Sequence, residues 1–226
     1  MTKRAMPSSI KCVIFDCDGT LIDSEKLCCQ ALVNVFTSFG AELTLHESIE
    51  HFQGGKLADI LSETNARVGL NISLDVLEPM YREQVSLLFQ AELKPMNGAR
   101  SLIQFLEKNQ IEFCVASNGP KDKVQYSLSL TGLLDSFDGK IFSAFDTNSW
   151  KPEPDLIMYS AMSMGFLPSE CLYVDDTKKG VQAGVDAGVK TIQLCNGISA
   201  TKVDLPSVTH IHHLGEIESW ISDTHC

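Results

Sequence analysis

Four short runs rich in apolar residues are spaced along the chain, and none of them contains a charged side chain. They are Cys12–Phe15, Phe113–Ala116, Cys171–Val174 and Thr191–Leu194. Continuous apolar runs of this length are typical of strands buried on both faces of a parallel sheet, whereas half-exposed strands alternate apolar and polar residues. The pattern therefore predicts a buried parallel sheet.

Segments with apolar residues at helical spacing separate these runs in the second half of the chain. They lie at about Ala99–Lys108, Lys121–Leu130, Pro154–Met164 and Lys178–Ala187. Strands that alternate with helices are typical of doubly wound α/β domains. We therefore expect a Rossmann-like α/β core, built on a doubly wound parallel sheet.

A long segment after the first strand is helical in pattern almost throughout and contains no candidate strand. Its helical stretches are Ser24–Phe39, Lys56–Val68 and Asp75–Leu88. The first of them is followed by Gly40, a residue type that commonly ends helices. A small helical domain inserted after the first strand explains this change of pattern.

The segment Lys94–Gly98 contains a proline and a glycine and is typical of a hinge that returns the chain to the core. It sets the second boundary of the insertion. The pattern thus predicts a core formed by residues 1–20 and 95–226, with residues 21–94 forming a helical cap domain.

The charge of the chain limits its partners. It has 226 residues, with 18 basic against 29 acidic side chains and a net charge of −11. Such a surface repels nucleic acid and anionic membranes, so neither is an expected partner. It also repels phosphorylated metabolites at long range. A phosphate site therefore needs a local group of lysines and backbone N–H groups, together with a metal ion.

The cysteines and the N-terminus bear on the compartment. No two of the eight cysteines have the CxxC spacing of a zinc site, and Cys12, Cys114 and Cys171 lie in apolar runs. We expect free thiols in a reducing cytoplasm. Lys3 and Arg4 are followed by polar residues and a proline instead of an apolar stretch, so no secretory signal is expected.

Two carboxylates follow the first predicted strand, in the segment Asp16-Cys17-Asp18-Gly19-Thr20. One carboxylate can attack phosphorus while the other transfers a proton, and both can approach a magnesium ion. A simple polar turn is the alternative. A calcium loop of the EF-hand type is excluded because Leu21 and Leu27 occupy the positions where that loop requires Gly and Glu.

Polar residues also follow the second and third predicted strands. Ser117 and Asn118 come after one strand, and Asp175 and Asp176 follow another. Ligands of open parallel sheets bind beyond the carboxyl ends of the strands, so these residues should meet Asp16 at one edge. Taken singly, Ser117 is equally consistent with a helix N-cap, and the acidic pair with stabilisation of a helix dipole.

Lys151 lies in the segment Trp150-Lys151-Pro152-Glu153-Pro154, whose prolines restrict the backbone. A positioned ammonium group can offset the charge of a phosphoryl group during transfer. In isolation, the segment is also consistent with a surface lysine in a proline-rich loop.

Taken in order, these four motifs resemble those of the haloacid dehalogenase-like hydrolases, in particular phosphatases with a helical cap inserted after the first strand. The resemblance covers nearly the whole chain. It rests on the segments 15–25, 52–57, 117–120 and 150–154 together with the acidic pair. The resemblance implies a magnesium-dependent phosphatase that acts on a small phosphorylated metabolite, such as a sugar or sugar-acid phosphate.

The resemblance also implies roles for individual residues. Asp16 corresponds to the nucleophile that forms an aspartyl-phosphate, and Asp18 to the general acid and base. Ser117 and Lys151 correspond to the pair that binds the phosphoryl group. The magnesium ligands would be Asp176, the Asp16 carboxylate and the Asp18 backbone carbonyl. Asp175 would act through a bound water or orient the site, and the division of labour within the acidic pair stays open.

The cap segment Gly54-Gly55-Lys56 lies between helical stretches and is predicted to be a loop. Glycines let the backbone approach a ligand closely, and Lys56 offers a mobile cation. Together with Asn118, these residues are the predicted substrate contacts. The alternative is that the glycines only end a helix and that Lys56 is solvated.

Three other functions share this set of motifs. A dehalogenase of the same family needs no acid for its leaving halide, so Asp18 argues against that activity. A sugar-phosphate mutase of the β-phosphoglucomutase type has the same catalytic residues and is not distinguished by the sequence. A non-catalytic binding protein on the same fold is disfavoured because Asp16 and Asp18 are both present.

Overall fold

A computed structural model of the protein describes residues 10–52, 54–195 and 202–224. Six strands in these residues form one sheet in which every pairing is parallel. They are β1 (Cys12–Phe15), β2 (Glu112–Ser117), β3 (Ile141–Ser143), β4 (Cys171–Asp175), β5 (Lys190–Leu194) and β6 (Val208–Ile211). Their order across the sheet is β3-β2-β1-β4-β5-β6, which confirms the doubly wound α/β core.

The central strands are buried because both faces of the sheet are covered by helices. All positions of β1 and β4 are buried, and β2 is exposed only at Glu112. Cys12, Cys114 and Cys171 lie on these three strands as buried free thiols, packed among apolar side chains. The uninterrupted apolar runs of the sequence thus correspond to the centre of the sheet.

Four helices lie between β1 and the rest of the core. They are α1 (Glu25–Ser38), α2 (Leu45–His51), α3 (Leu57–Arg67) and α4 (Leu74–Glu92). Apolar residues spaced three or four apart on α1, such as Leu27, Ala31 and Val35, are buried against the other cap helices and the core. This insertion is the expected helical cap, whereas its boundaries at residues 21 and 94 stay a prediction.

The remaining helices flank the sheet. They are α5 (Ala99–Lys108), α6 (Lys121–Leu130), α7 (Ala144–Thr147), α8 (Asp155–Ser163), α9 (Lys178–Asp186) and α10 (Glu216–Thr224). Pro120 is the N-cap residue of α6 and Pro154 that of α8, so each proline stands where a helix begins and no backbone donor is needed. Within the described ranges, no helix is both long and apolar enough for a membrane span.

The two connections between core and cap run side by side. The backbone N–H of Asp23 donates to the carbonyl of Lys94 at 2.9 Å, and that of Met96 donates to the carbonyl of Leu21 at 2.8 Å. Ile22 and Pro95 form an antiparallel bridge between these bonds. The predicted hinge is therefore one strand of a short two-stranded link. Gly98, with a φ of 87°, follows this link and directly precedes α5.

Candidate active site

The parallel sheet brings the predicted site residues together at one edge. Phe15 of β1 pairs with Val115 of β2 and with Val174 of β4. Asp16 therefore emerges between the ends of β2 and β4, beside Ser117 and Asp175. All three side chains are buried beneath a cavity between core and cap, with a volume of about 1000 Å³.

Lys151 reaches this edge from the loop before α8. Its Nζ lies 2.6 Å from Asp16 Oδ1 and 2.9 Å from Asp175 Oδ2, and it also donates to the hydroxyl of Tyr173 at 3.0 Å. Only 5% of the residue is exposed. A lysine so deeply buried is stable as a cation only because two carboxylates surround it, and they hold its pKa above the ordinary value against the effect of burial.

Asn118 fixes the loop that carries this lysine. Its side-chain oxygen accepts from the backbone N–H of Lys151 at 2.9 Å, and its amide nitrogen donates to the Lys151 carbonyl at 3.4 Å. Ser117 Oγ accepts from the N–H of Gly119 at 3.1 Å, which closes the turn before α6. The segment after β2 therefore positions both predicted phosphoryl-binding residues, Ser117 and Lys151.

The two carboxylates at the end of β4 have different surroundings. Both oxygens of Asp175 accept hydrogen bonds. Oδ1 accepts from the N–H and the hydroxyl of Thr177 at 2.8 and 2.7 Å, and Oδ2 accepts from Tyr173 and Lys151. A Cβ atom at Gly180 would lie 1.9 Å from Asp175 Oδ2. This glycine of α9 is thus required by the acid and not only by helix packing.

Asp176 keeps one carboxylate oxygen without a hydrogen-bond donor. Its Oδ1 accepts from the Thr20 hydroxyl at 2.9 Å, whereas Oδ2 is buried and unsatisfied. Burial raises the pKa of Asp176 well above the ordinary value, and the nearby carboxylate of Glu25 raises it further. Gly19, with a φ of 76°, is the close neighbour that makes room, since a Cβ there would lie 2.3 Å from Oδ2.

The three carboxylates could hold a divalent metal ion. Oxygen atoms of Asp16, Asp175 and Asp176 all lie within 4.8 Å of one another, and all three residues are buried. Magnesium prefers oxygen ligands, and an unsatisfied buried carboxylate oxygen is unfavourable unless a cation or proton binds it. Burial also raises the pKa of Asp16 to about 7, against the opposing effect of Lys151. The residues around these three carboxylates therefore supply too little positive charge to keep all of them ionised.

Asp18 lies at the other side of the cavity floor, and two side chains bind its carboxylate. Ser24 Oγ donates to Oδ1 at 2.9 Å, and the ammonium group of Lys123 contacts both oxygens. Burial alone would raise the pKa of Asp18, but the positive charge of Lys123 outweighs it, and the pKa is lowered. Asp16 and Asp18, two residues apart, therefore have pKa values shifted in opposite directions.

Sequence reasoning missed Lys123. It lies on the first turn of α6, where the helix dipole disfavours a positive charge. The sequence signal that could have identified Lys123 is its position, six residues after Ser117 and at the start of the next predicted helix. Tyr173, Thr20 and Ser24 were missed as well, because a hydroxyl in a strand or turn carries no pattern of its own.

The cap loop contacts the core on both sides of the predicted phosphoryl site. Lys56 Nζ lies 4.6 Å from the centroid of the Trp150 ring, next to Lys151. Lys179 Nζ donates to the carbonyl of Gly54 at 3.3 Å, and a Cβ at Gly55 would lie 2.9 Å from the same Nζ. The two glycines, with φ values of 62° and 113°, therefore bring the loop close to the start of α9.

The family model of the haloacid dehalogenase-like hydrolases matches residues 13–194. The 6-phosphogluconate phosphatase of Escherichia coli is 36% identical over 94% of this chain and 96% of its own. The phosphorylated carbohydrates phosphatase of Thermotoga maritima is 28% identical, covering 81% of this chain and 84% of that protein. These relatives confirm the expectation of a phosphoric monoester hydrolase.

Solved structures agree on the fold. A family hydrolase from Deinococcus radiodurans with bound phosphate and sodium superposes with a TM-score of 0.77 at 22% identity, over 97% of both chains. CbbY from Rhodobacter sphaeroides in complex with phosphate gives 0.80 at 18% identity, over 92% of this chain and 96% of that one. The chain belongs to the haloacid dehalogenase-like hydrolase family.

Proposed function

We propose that this hydrolase is a magnesium-dependent phosphatase that acts on a sugar or sugar-acid phosphate through an aspartyl-phosphate on Asp16. The observation that carries the proposal is the position of the Asp16 carboxylate. It lies at the floor of the cavity, 2.6 Å from Lys151 and beside the acidic pair at the end of β4. A carboxylate here can attack a phosphoryl group that enters from the cavity.

In the first half-reaction, an oxygen of Asp16 forms a bond to phosphorus while the ester bond to the leaving oxygen breaks. Lys151 and the Ser117 hydroxyl bind oxygens of the phosphoryl group and offset its developing charge. A magnesium ion held by the Asp16 and Asp176 carboxylates would supply further positive charge and offset the repulsion between the carboxylate and the phosphate dianion. Asp18, which enters this half-reaction in its protonated form, gives that proton to the leaving oxygen and is left as a carboxylate.

In the second half-reaction, water attacks the phosphorus of the aspartyl-phosphate, and the bond to Asp16 breaks to release inorganic phosphate. Asp18, now ionised, takes the proton from that water. The low pKa of Asp18 favours this base form, since Lys123 stabilises the carboxylate. The cap excludes bulk water while the substrate is bound.

The metal ligands follow from which oxygens are already in use. Asp176 has an oxygen without a donor and is proposed as the direct carboxylate ligand, with the Asp16 carboxylate and the Asp18 backbone carbonyl. Asp175 accepts four hydrogen bonds and is proposed to orient Lys151 and the start of α9. Thr20 would hold Asp176 in place.

The substrate proposal rests on the cap. Gly54 and Gly55 bring the loop over the cavity, and Lys56 is an exposed cation at its wall. The E. coli relative acts, by its name, on 6-phosphogluconate, which carries a carboxylate at the end opposite the phosphate. We propose the same class of substrate here, with Lys56 paired to that carboxylate. Asn118 contributes through the Lys151 loop.

The test is a screen of phosphorylated sugars and sugar acids, ranked by kcat/KM, with phosphate release and isomer formation measured in parallel. We expect inorganic phosphate as the product. Chelation by EDTA should remove activity, magnesium should restore it, and calcium should restore little because its looser coordination disturbs the geometry of attack. Full activity after exhaustive chelation would contradict the metal assignment. Formation of an isomer without release of phosphate would mean that the protein is a mutase and not a phosphatase.

A further inference from the structure

The carboxylate of Asp18 is held by a lysine that none of the family motifs above contains. The ammonium group of Lys123 contacts both of its oxygens, and Ser24 Oγ donates to one of them. Lys123 and Asp18 are separated by 105 residues and belong to different elements. The contact therefore depends on how α6 packs beside the end of β1.

Asp18 needs an external restraint. Its side chain is 31% exposed and faces a cavity of about 1000 Å³, so space alone does not fix its direction. The side chain of Asp16, in contrast, is 9% exposed and contacts Lys151. A carboxylate in open space samples several rotamers, and a proton transfer requires one of them. Because the ammonium group of Lys123 contacts both oxygens of Asp18, it restricts the carboxylate to one orientation.

Lys123 lies between the core and the cap, with Gly119 on one side and Phe89 on the other. It lies in the first turn of α6, directly after the turn that carries Ser117. Its Cδ lies 3.5 Å from where a Cβ of Gly119 would be, and its Nζ lies 5.4 Å from the centroid of the Phe89 ring on α4. The lysine thus extends from the core beneath the cap, and it reaches Asp18 between the two.

We propose that Lys123 is a positioning residue for the proton-transfer step, which with Ser24 holds the Asp18 carboxylate towards the leaving group. The inference rests on the proposed phosphatase function, in which Asp18 is the acid and base. It gives the two lysines of the cavity floor different roles. Lys151 serves the phosphoryl group at Asp16, and Lys123 serves proton transfer at Asp18.

The first test compares leaving groups. Lys123→Met keeps an unbranched side chain only one atom shorter and removes its charge, and Lys121→Met on the exposed face of the same helix is the control. Alkyl phosphates need a proton on the leaving oxygen, whereas nitrophenyl phosphate needs little. We expect Lys123→Met to slow single-turnover phosphorylation of the enzyme by the alkyl ester by about tenfold to a hundredfold, part of the effect of general acid catalysis, and phosphorylation by the aryl ester much less.

The second test is a double-mutant cycle with Asp18→Asn. If Lys123 acts through Asp18, Lys123→Met should cause no further loss in the Asp18→Asn background, and Lys123→Arg should restore most of the wild-type rate. Losses that multiply in the double variant would overturn the inference. Equal losses in the rate of enzyme phosphorylation by aryl and alkyl esters, in the folded single variant, would overturn it as well. A wild-type protein that hydrolyses no phosphate ester would overturn the proposed function as well.

Discussion

The floor and the roof of the cavity are built in different ways. The deepest part of the floor contains Asp16, Lys151, Asp175 and Asp176, which are all buried, and Lys151 binds both Asp16 and Asp175. The roof belongs to the cap, where Lys56 is exposed and the side chain of Arg82 is 46% exposed. Lys56 contacts a ring of the core, and Arg82 contacts Glu78 on its own helix.

This difference separates chemistry from selectivity. Removing one partner of a buried charge network leaves another charge unpaired, which is strongly unfavourable, so the floor tolerates little change. An exposed pair such as Arg82–Glu78 is worth less than about 1 kcal/mol, so the roof can be altered at small cost to folding. Variants of the four buried residues should therefore affect every substrate alike, and roof variants should discriminate between sugar phosphates that differ away from the phosphate.

The largest effect is expected at the floor. Asp16→Asn should lower kcat by about a thousandfold or more, because an amide is a poor nucleophile and a weaker metal ligand. Turnover of several phosphate esters should be measured beside the exposed control Asp186→Asn, with far-UV circular dichroism to verify the fold. Near-normal turnover by the folded Asp16→Asn variant would exclude Asp16 as the nucleophile. It would also remove the main support for the division between a catalytic floor and a selective roof.

A loss of about a hundred- to ten-thousandfold is expected for Asp18→Asn, since one group serves as acid and then as base. Single-turnover phosphorylation of the enzyme should slow less with a nitrophenyl ester than with an alkyl ester, because nitrophenolate leaves without a proton. Equal factors for both esters in that first step would mean that Asp18 is not the acid.

The sequence predicted the parts of the floor that lie at strand ends. Asp16, Ser117 and Asp175 follow apolar runs, and parallel strands bring their ends to one edge whatever the distance along the chain. Lys123 was not predictable in this way, because its contact depends on the reach of a long side chain from a helix. The unsatisfied oxygen of Asp176 was not predictable either, since it depends on the exact directions of its neighbours.

The fold shows the same limit at its edges. β3 and β6 were not predicted, because three residues at Ile141–Ser143 and a half-polar run at Val208–Ile211 give weak signals. Helix α2 was missed because its segment is mostly polar, although Thr44 and Glu47 form a capping box. Central strands buried on both faces were predicted because burial restricts their composition most.

A smaller and selective effect is expected at the roof. Lys56→Ala should lower kcat/KM for 6-phosphogluconate by about tenfold to a hundredfold, because a charge-assisted contact is worth about 1.5–3 kcal/mol. Hydrolysis of glycerol phosphate, which has no carboxylate, should fall much less. Lys26→Ala, an exposed lysine elsewhere on the cap, is the control. Equal losses on both substrates would assign Lys56 to the phosphoryl group or to the folding of the loop.

The smallest effect is expected in the stability of the metal-free protein. The pKa of Asp16 is raised to about 7, whereas an unfolded chain has a carboxyl value near 3.9. The folded state therefore binds more protons between about pH 4 and pH 7, and its free energy of unfolding falls as pH rises through this window. Asp16→Asn lacks this contribution. In EDTA, the melting temperature of Asp16→Asn minus that of the wild type should increase by a few degrees between pH 5 and pH 8.

The addition of magnesium provides a second test of the pH dependence of the melting temperature. Its ligands must be ionised, so the rise in melting temperature that it causes in the wild type should be larger at pH 8 than at pH 5. Asp16→Asn should show a smaller rise at both values. A melting temperature of Asp16→Asn that falls relative to that of the wild type as pH increases would contradict the direction of the Asp16 shift.

The paired connections at Leu21–Asp23 and Lys94–Met96 have a consequence for how such enzymes can be diversified. The two chain crossings are joined by backbone hydrogen bonds, so the ends of the insertion lie within the spacing of adjacent strands. A different helical module whose ends lie equally close can be spliced at these points with little cost in loop closure. New specificities can therefore be recruited by exchanging whole modules, while Asp16, Lys151 and the acidic pair of the core are inherited unchanged.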